Sequence, residues 1–226
     1  MRHIIELKDG WQFTNLDGQT SEVSIPHTWN AIDGQDGGDD YKRGTCTYTL
    51  ALQKPEFDPD TQEVWIEFDG VNASAQVSLN GQDVCSHDGG YSTFRANLTG
   101  LLADENELVV KADNSKNDRV YPQMADFTFY GGIYRMVRLL VVSKAHFALD
   151  YLGSSGIRVT ATPEGAGAKV RVQSRVTTGD VTVTLIDRKG RVVGTGTGLD
   201  TTIEMAKARR WHGVEDPYLY LSLIHI

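Results

Sequence analysis

One carboxylate set among aromatic side chains marks the segment of this chain that is best suited to chemistry. Asp126 is followed by Phe127, Phe129 and Tyr130, and then by the glycine pair 131–132. Aromatic faces cover the apolar C–H surfaces of a sugar, while a carboxylate accepts hydrogen bonds from its hydroxyl groups. A hydrogen bond to a charged group contributes about 1.5 to 3 kcal/mol, enough to change binding at least tenfold. The segment predicts a substrate-contacting loop, with an exposed loop acid as the alternative.

A second polar segment, residues 33–44, is rich in aspartate and glycine. It lacks the Gly-Lys-Ser/Thr sequence of a phosphate loop and the ligand spacing of a calcium loop, which favours a flexible connection. Tyr41 and Arg43 at its end are further candidate ligand contacts. His27 and His87 do not have the spacing of zinc ligands, and the sequence has no Gly-x-Ser-x-Gly motif whose serine could form a catalytic triad with either of them. Both are therefore predicted to be structural. No catalytic residue, metal site or cofactor is predicted in this chain.

Alternating strands must position these residues. Ala75, Val77 and Leu79 alternate with polar residues ahead of Asn80 and Gly81, which predicts a half-buried strand followed by a type I′ hairpin turn. The same alternation recurs at residues 64–68, 108–112, 156–162, 169–176, 181–186, 191–195 and 202–206. No long helical pattern competes with it. We therefore expect an all-β protein.

A shift in composition after the apolar strand at residues 134–142 predicts a domain boundary. We expect a jelly-roll sandwich over residues 1–143 and an immunoglobulin-like sandwich over residues 144–226. The seven strands of an immunoglobulin-like sandwich occupy about 100 residues, so the last strand or two of the second domain are expected to be missing.

Cys46 and Cys85 lie in or beside predicted strands, where buried thiols are favoured over a disulfide.

Composition argues against several classes of partner. The chain has 226 residues, is 40% hydrophobic and 23% charged, and carries a formal net charge of -8. Nucleic-acid binders present a basic face, so an acidic chain argues against that partner. No apolar run approaches the roughly 18 residues that cross a bilayer. The first residues lack the features of a signal peptide, which favours a cytoplasmic location. A neutral sugar is compatible with this composition.

Seven short motifs occur in an order and spacing that resemble glycoside hydrolase family 2, particularly its β-galactosidases. They are residues 7–11, 26–30, 70–71, 80–81, 87–91, 113–114 and 131–135. The resemblance implies an N-terminal jelly-roll sugar-binding domain followed by an immunoglobulin-like domain. Residues 211–220 look like the late Pro-x-Leu-Tyr strand of that second domain.

The resemblance also implies roles for individual residues. Asp126 matches the acid that reaches from the first domain of this family into the active site and contacts the bound sugar. Tyr41 and Arg43 lie where other members bring a sugar-contacting loop, and they rank after Asp126, as does the neighbouring Phe129. The family's two catalytic glutamates come from a (β/α)8 barrel of about 250 residues. That barrel is longer than this whole chain, so the chain is expected to be a truncated, inactive part of the enzyme.

The activity implied by the resemblance is retaining hydrolysis of terminal β-galactosides. In this reaction one carboxyl group donates a proton to the leaving oxygen, and a second, about 5 Å away, attacks the anomeric carbon. β-Glucuronidase and β-mannosidase activities stay open, because substrate choice depends mainly on residues outside this chain. The expected partners are a β-galactoside or related saccharide and the barrel of the same polypeptide, with a homo-oligomer left open. A stand-alone carbohydrate-binding module and a purely structural pair of sandwiches are the alternatives.

Residues 221–226 match what a commonly used transposase sequencing adaptor encodes in this frame. Our hypothesis is that the open reading frame ran into the adaptor. The nucleotide sequence tests it, because codons unlike those of the adaptor would exclude the idea. The expectation of an incomplete second domain does not depend on this hypothesis.

Overall fold

A computed structural model describes residues 2–33, 41–122 and 128–226, and every regular element in these ranges is a β-strand. The chain divides into two compact units, Met1–Ser143 and Lys144–Ile226. The first unit has the jelly-roll architecture and the second is immunoglobulin-like, which confirms the all-β fold class. Across the same ranges we find no helix with the length and apolar character needed to cross a membrane.

The first unit is a sandwich of two antiparallel sheets. Its strands are β1 (His3–Glu6), β2 (Trp11–Thr14), β3 (Thr20–Val23), β4 (Thr45–Gln53), β5 (Gln62–Phe68), β6 (Ser74–Leu79), β7 (Gln82–Asp88), β8 (Phe94–Asn97), β9 (Glu105–Asp113) and β10 (Val137–Ser143). One sheet has the order β1-β10-β5-β8 and the other has the order β3-β2-β4-β9-β6-β7. Strands β4 and β10 therefore lie in different sheets, and the segments that precede them carry the predicted site residues.

The core of the first unit lies between these sheets. Successive side chains of a strand point to opposite faces, so alternate residues of β4 and β9 are buried. Trp11, Tyr48 and Phe68 are fully buried in this cluster. Burying a large apolar side chain stabilises a fold by about 1.5 to 3 kcal/mol, so these aromatics fix the sandwich firmly. The loops at its edge are thereby anchored on a rigid scaffold.

The predicted hairpin turn between β6 and β7 is confirmed. Asn80 and Gly81 both have positive φ, 53° and 79°, which is the conformation that a type I′ turn requires. The two cysteines are free thiols, as the sequence favoured. Burial raises the pKa of Cys46 and of Cys85 to about 11, so both remain protonated at neutral pH.

Strand β5 differs from its predicted pattern. The alternation predicted polar, solvent-facing residues between Val64, Ile66 and Phe68, yet Trp65 and Glu67 are buried as well. Glu67 is held by charged partners: its Oε2 lies 2.6 Å from Arg95 Nε and its Oε1 lies 3.3 Å from Arg138 Nη1. A buried carboxylate needs such partners, because an unpaired buried charge is very costly.

The second unit is a smaller sandwich. Its strands are β11 (Ile157–Glu164), β12 (Gly167–Ser174), β13 (Thr182–Ile186), β14 (Val192–Thr197), β15 (Asp200–Met205) and β16 (Leu221–His225). They form two three-stranded sheets, β11-β12-β15 and β14-β13-β16. The five strands predicted between residues 156 and 206 are confirmed within a few residues of their predicted ends. A cluster that includes Val172, Val183 and Leu185 packs between the sheets.

The predicted strand at residues 211–220 is wrong. This segment is an irregular loop in which His212 and Asp216 form an isolated bridge around Gly213, whose φ is +57°. Asp216 accepts two hydrogen bonds from the guanidinium of Arg209, at 2.9 and 2.8 Å. The next residue, Pro217, has no N–H to donate to a sheet, so regular pairing starts only at β16. The adaptor origin of residues 221–226 stays a prediction, because only the nucleotide sequence can test it.

Candidate functional site

Tyr41, Arg43 and Phe129, three of the residues selected from the sequence, lie together. The Cζ atom of Arg43 is 5.7 Å from the centre of the Tyr41 ring and 5.5 Å from the centre of the Phe129 ring. The two rings meet edge to face, with centroids 6.4 Å apart. A guanidinium is attracted to the negative face of an aromatic ring, so both rings help to hold Arg43 in place.

Arg43 is half-buried, and its guanidinium makes one hydrogen bond to the residues that the structure describes. Its Nη1 donates a hydrogen bond to the backbone oxygen of Asn114, at 3.2 Å. Among the residues that the structure describes, no carboxylate forms an ion pair with it. Phe129 is buried, so its ring supports Arg43, whereas Tyr41 is only half-buried. Within the described ranges, the cluster therefore offers a cation that has further N–H donors available at the edge of the sandwich.

A buried asparagine anchors the loop that carries Arg43. The side-chain amide of Asn114 donates to the backbone oxygen of Lys42 at 3.1 Å and accepts from the backbone N–H of Gly44 at 2.9 Å. Trp29 donates its indole N–H to the same Lys42 oxygen, at 3.0 Å. Arg43 lies between these two anchored residues, so its backbone position is fixed from both sides.

Two further buried asparagines anchor the segment that carries Phe129. Asn30 is fully buried; its amide donates to the oxygen of Phe129 at 3.0 Å and accepts from the N–H of Gly131 at 2.7 Å. Asn72 donates to the oxygen of Tyr130 at 2.7 Å. Sequence reasoning missed this positioning role, although Asn30 and Asn114 both lie within the family motifs and could have been singled out there.

Gly131 and Gly132, next to this segment, lie too close to neighbouring side chains for a larger residue to fit at either position. A Cβ atom at Gly131 would lie 2.7 Å from the amide nitrogen of Asn114, and one at Gly132 would lie 2.5 Å from the Tyr48 hydroxyl. Gly132 also has φ +121°, a conformation that other residues rarely adopt. Any larger residue would therefore push the segment away from the Arg43 loop.

His27 and His87 contact neighbouring side chains of the first unit, as structural histidines do. His27 Nδ1 lies 2.8 Å from the Tyr48 hydroxyl, and burial lowers the pKa of His27. His87 Nε2 lies 2.9 Å from Ser92 Oγ, its ring stacks on Phe94 at 4.4 Å, and burial is again the main reason for its lowered pKa. Over the described ranges, no group of three or more His, Cys, Asp or Glu residues is placed to hold a metal ion.

Asp126 lies outside the described residues, so its predicted contact with a sugar stays a prediction. The described residues on either side of that gap line one narrow crevice of about 20 Å³, room for about a single water molecule. Arg43, Tyr91, Tyr121 and Phe129 contribute to its walls. The crevice therefore marks where the Arg43 cluster faces the neighbouring loops of the first unit.

Comparison with known families identifies the class of protein. A family model described as "Glycosyl hydrolases family 2, sugar binding domain" matches residues 4–143. This match covers the whole sandwich of the first unit, including the three asparagine anchors and the Arg43 cluster. The chain belongs to glycosyl hydrolase family 2, as its motifs indicated.

Individual relatives extend the similarity over both units. A β-glucuronidase of Bacteroides fragilis is 35% identical, and the alignment covers 97% of this chain and 34% of the relative. A β-galactosidase of Thermoanaerobacter pseudethanolicus is 26% identical, with 95% of this chain and 30% of the relative covered. The chain thus spans about a third of the length of these curated relatives.

Solved structures of the same kind superpose on the chain. An FMN-binding β-glucuronidase from Facaelibacterium prausnitzii L2-6 matches with a TM-score of 0.88 and 37% identity, covering 99% of this chain and 36% of that structure. A β-glucuronidase of Bacteroides uniformis matches with a TM-score of 0.74 and 27% identity, covering 100% and 28%. The similarity includes the second unit, which the family model does not match.

Proposed function

We propose that this chain is the non-catalytic, sugar-binding part of a longer retaining β-glycosidase. The observation that carries the proposal is the Arg43 cluster, which the buried asparagines hold at one edge of a family 2 sugar-binding domain. In this proposal Asp126 accepts hydrogen bonds from the sugar hydroxyls, and Arg43 and Tyr41 line the same pocket. The two catalytic carboxylates are supplied by a barrel in the portion of the full-length protein that this chain does not span.

For the substrate, we infer a β-glucuronide. Two lines of support favour it: several similar relatives are named β-glucuronidases, and a guanidinium without a carboxylate partner among the described residues suits the carboxylate of a uronic acid. The β-galactoside that the sequence favoured is the second candidate, supported by the β-galactosidase relatives. Hydrolysis of nitrophenyl β-glucuronide and β-galactoside by the full-length enzyme decides between the two, and faster cleavage of the galactoside would reverse their order.

The role of Asp126 is tested in the full-length parent. We expect Asp126→Ala to lower kcat/KM by about 10- to 100-fold, because it removes charge-assisted hydrogen bonds worth about 1.5 to 3 kcal/mol. Asp104→Ala is the matched control, since Asp104 is an exposed aspartate of the same unit outside the proposed pocket. Near wild-type kinetics for Asp126→Ala would remove this residue from the site.

A stand-alone binding module is the alternative from another class, and calorimetry on the 226-residue chain separates it from an enzyme part. The pocket proposed here is completed by the barrel, so titration with a β-glucuronide or a β-galactoside should give little or no heat. Appreciable affinity of the chain by itself would favour the module. Arg43→Gln then tests whether any binding that occurs takes place at the cluster.

A further inference from the structure

The first strand of the first unit has a free edge. β1 stands at the end of its sheet in the strand orders of the described residues. Leu7, just after β1, donates its N–H to the Val137 oxygen at 2.9 Å, in register with the pairing of β1 and β10. Hydrogen-bonded residues alternate along an antiparallel strand. The backbone groups of Ile5 therefore face β10, whereas those of Ile4 and Glu6 face away from it.

This free edge is short and ends before Lys8. The backbone oxygen of Lys8 accepts a hydrogen bond from the Ile25 N–H at 2.7 Å, so the outward side of the chain is occupied there. Arg2, Ile4 and Glu6 are the residues whose N–H and C=O groups point outward. A row of such groups is a template for pairing with another strand.

The side chains along the free edge are complementary to themselves. Ile5 packs against the core, so the alternation of a strand places Arg2, Ile4 and Glu6 together on the outer face. All three are exposed, with Ile4 at 49%. A cation and an anion thus flank a central apolar residue at equal spacing. Across the described ranges Glu6 forms no ion pair, and Arg2 makes only a 3.8 Å contact with Glu67.

We propose that β1 pairs antiparallel with β1 of a second copy of this chain, about a two-fold axis that passes between the two Ile4 residues. Arg2 of each copy then lies opposite Glu6 of the other, so the interface contains two pairs of opposite charge around an apolar centre. Opposite charges at directly opposed positions stabilise an antiparallel pair. The pairing joins the four-stranded sheets of the two copies into one continuous sheet through a self-complementary interface.

The outward-facing groups specify this register. A slip of two residues in either direction pairs Ile4 with Arg2 or with Glu6 and leaves the third residue without a backbone partner. A slip of one residue opposes the outer face of one strand to the inner face of the other. Only the register centred on Ile4 uses the outward backbone groups of all three residues.

An apolar groove beside β1 favours the same pairing. The groove has a volume of about 410 Å³, and its lining includes Ile5, Leu7, Leu50 and Leu52. In the proposed pair, His3 of one copy lies opposite Ile5 of the other on the inner face. The added strand therefore extends the sheet that forms one wall of this groove, which removes apolar surface from water.

The edge strand β7 of the same unit lacks these features. It ends the six-stranded sheet, but its pairing with β6 contains a bulge after Val77. Its exposed Asp83 and Asp88 have no Lys or Arg between them, so two copies would bring acidic residues together. Bulges and charges of one sign both oppose pairing at an edge.

Sedimentation of the 226-residue chain over concentrations of about 10 μM to 1 mM tests the association. A strand pair of this length buries less than the roughly 1,000 Å² of a stable interface, so we expect a reversible dimer with a Kd of about 0.1 to 1 mM. Ile4→Pro should raise the Kd at least about tenfold, because it removes an outward N–H that β10 does not use. A chain that stays monomeric at the highest concentration would overturn the proposal.

Charge exchange tests whether the dimer forms through β1. Glu6→Arg makes both ends of the free edge basic and Arg2→Glu makes both ends acidic, so each variant should repel its own copies and raise the Kd about tenfold. An equimolar mixture of the two variants restores two pairs of opposite charge and should associate about as tightly as the unmodified chain. Glu22→Arg, at an exposed acid of the edge strand β3, is the matched control and should leave the Kd unchanged. An equal loss in the control, or no rescue in the mixture, would contradict the proposed pairing.

Hydrogen exchange locates the pairing along the strand. As the concentration rises, we expect protection to increase at the amides of Ile4 and Glu6, which face outward, and to stay constant at Ile5, which β10 already protects. A dimer without added protection at Ile4 and Glu6 would show that the copies associate elsewhere and would overturn the proposal. None of these measurements involves a sugar, so their failure leaves the glycosidase proposal unaffected.

Discussion

The two sandwiches differ in how completely their alternating strands are covered. In the first unit, the core-facing residues of β4 and β9 are buried along the length of each strand. In the second unit, β11 has the same alternation of apolar and polar residues, yet its core-facing side is exposed from Val159 onward. Period-two alternation thus specifies which face is apolar, and burial depends on whether another layer lies over that face.

Truncating one apolar side chain in each unit should give the largest difference in stability between the two units. We expect Phe68→Ala to lower the free energy of unfolding of the first unit by about 3 to 5 kcal/mol, because a buried aromatic leaves a cavity. Val159→Ala in the second unit should have a far smaller effect, since that side chain is half exposed. Urea unfolding followed by hydrogen exchange reports each unit separately. Equal losses would mean that β11 is covered in solution.

A buried charge in the first unit should give the next largest effect. Glu67→Gln removes the carboxylate that faces Arg95 and Arg138, and breaking a buried ion pair costs about 3 kcal/mol or more. The matched control is Asp200→Asn, which breaks the exposed Arg171–Asp200 pair of the second unit and should leave stability unchanged. Urea midpoints in low and high salt measure both. A salt-sensitive loss at Glu67 would show that the site is solvated.

Acidification should have the smallest effect and should act on the first unit. Burial lowers the pKa values of His27 and His87 below the ordinary value of 6.5. As the pH falls through 6.5, the unfolded chain takes up protons before the folded chain does, so stability is full above that pH and declines below it. Urea midpoints at about pH 7.5 and pH 5.5 measure the decline. The double variant His27→Gln, His87→Gln should reduce it; an unchanged decline would assign it to other groups.

Much of the fold could be predicted, because strands and turns leave local signals. The hairpin at Asn80 and Gly81 and five strands of the second unit follow from alternation and turn residues over short stretches. The strand at residues 211–220 was predicted from the resemblance of this segment to the family's Pro-x-Leu-Tyr strand, and that prediction was wrong. In the structure, the Arg209–Asp216 contact and Gly213 favour a loop instead. Such a contact between side chains has no signature in the local pattern.

Sequence reasoning selected three residues that lie together in the structure, and it missed the residues that hold them in place. Tyr41, Arg43 and Phe129 were selected separately, by residue type and by family resemblance, and the structure brings them together. Asn30 and Asn114, which fix the two loops, were not selected. An asparagine gains this role only when the fold brings a distant backbone carbonyl within hydrogen-bonding distance.

By itself the sequence determined the β architecture, the family and the residue types available for contact with a sugar, because each of these is encoded in short patterns along the chain. Only the tertiary structure decided that Arg43 lies against two aromatic rings, that Glu67 is buried, and that the core-facing side of β11 is exposed. Each of these depends on contacts between residues far apart in sequence, and such contacts form only where two sheets meet or fail to meet.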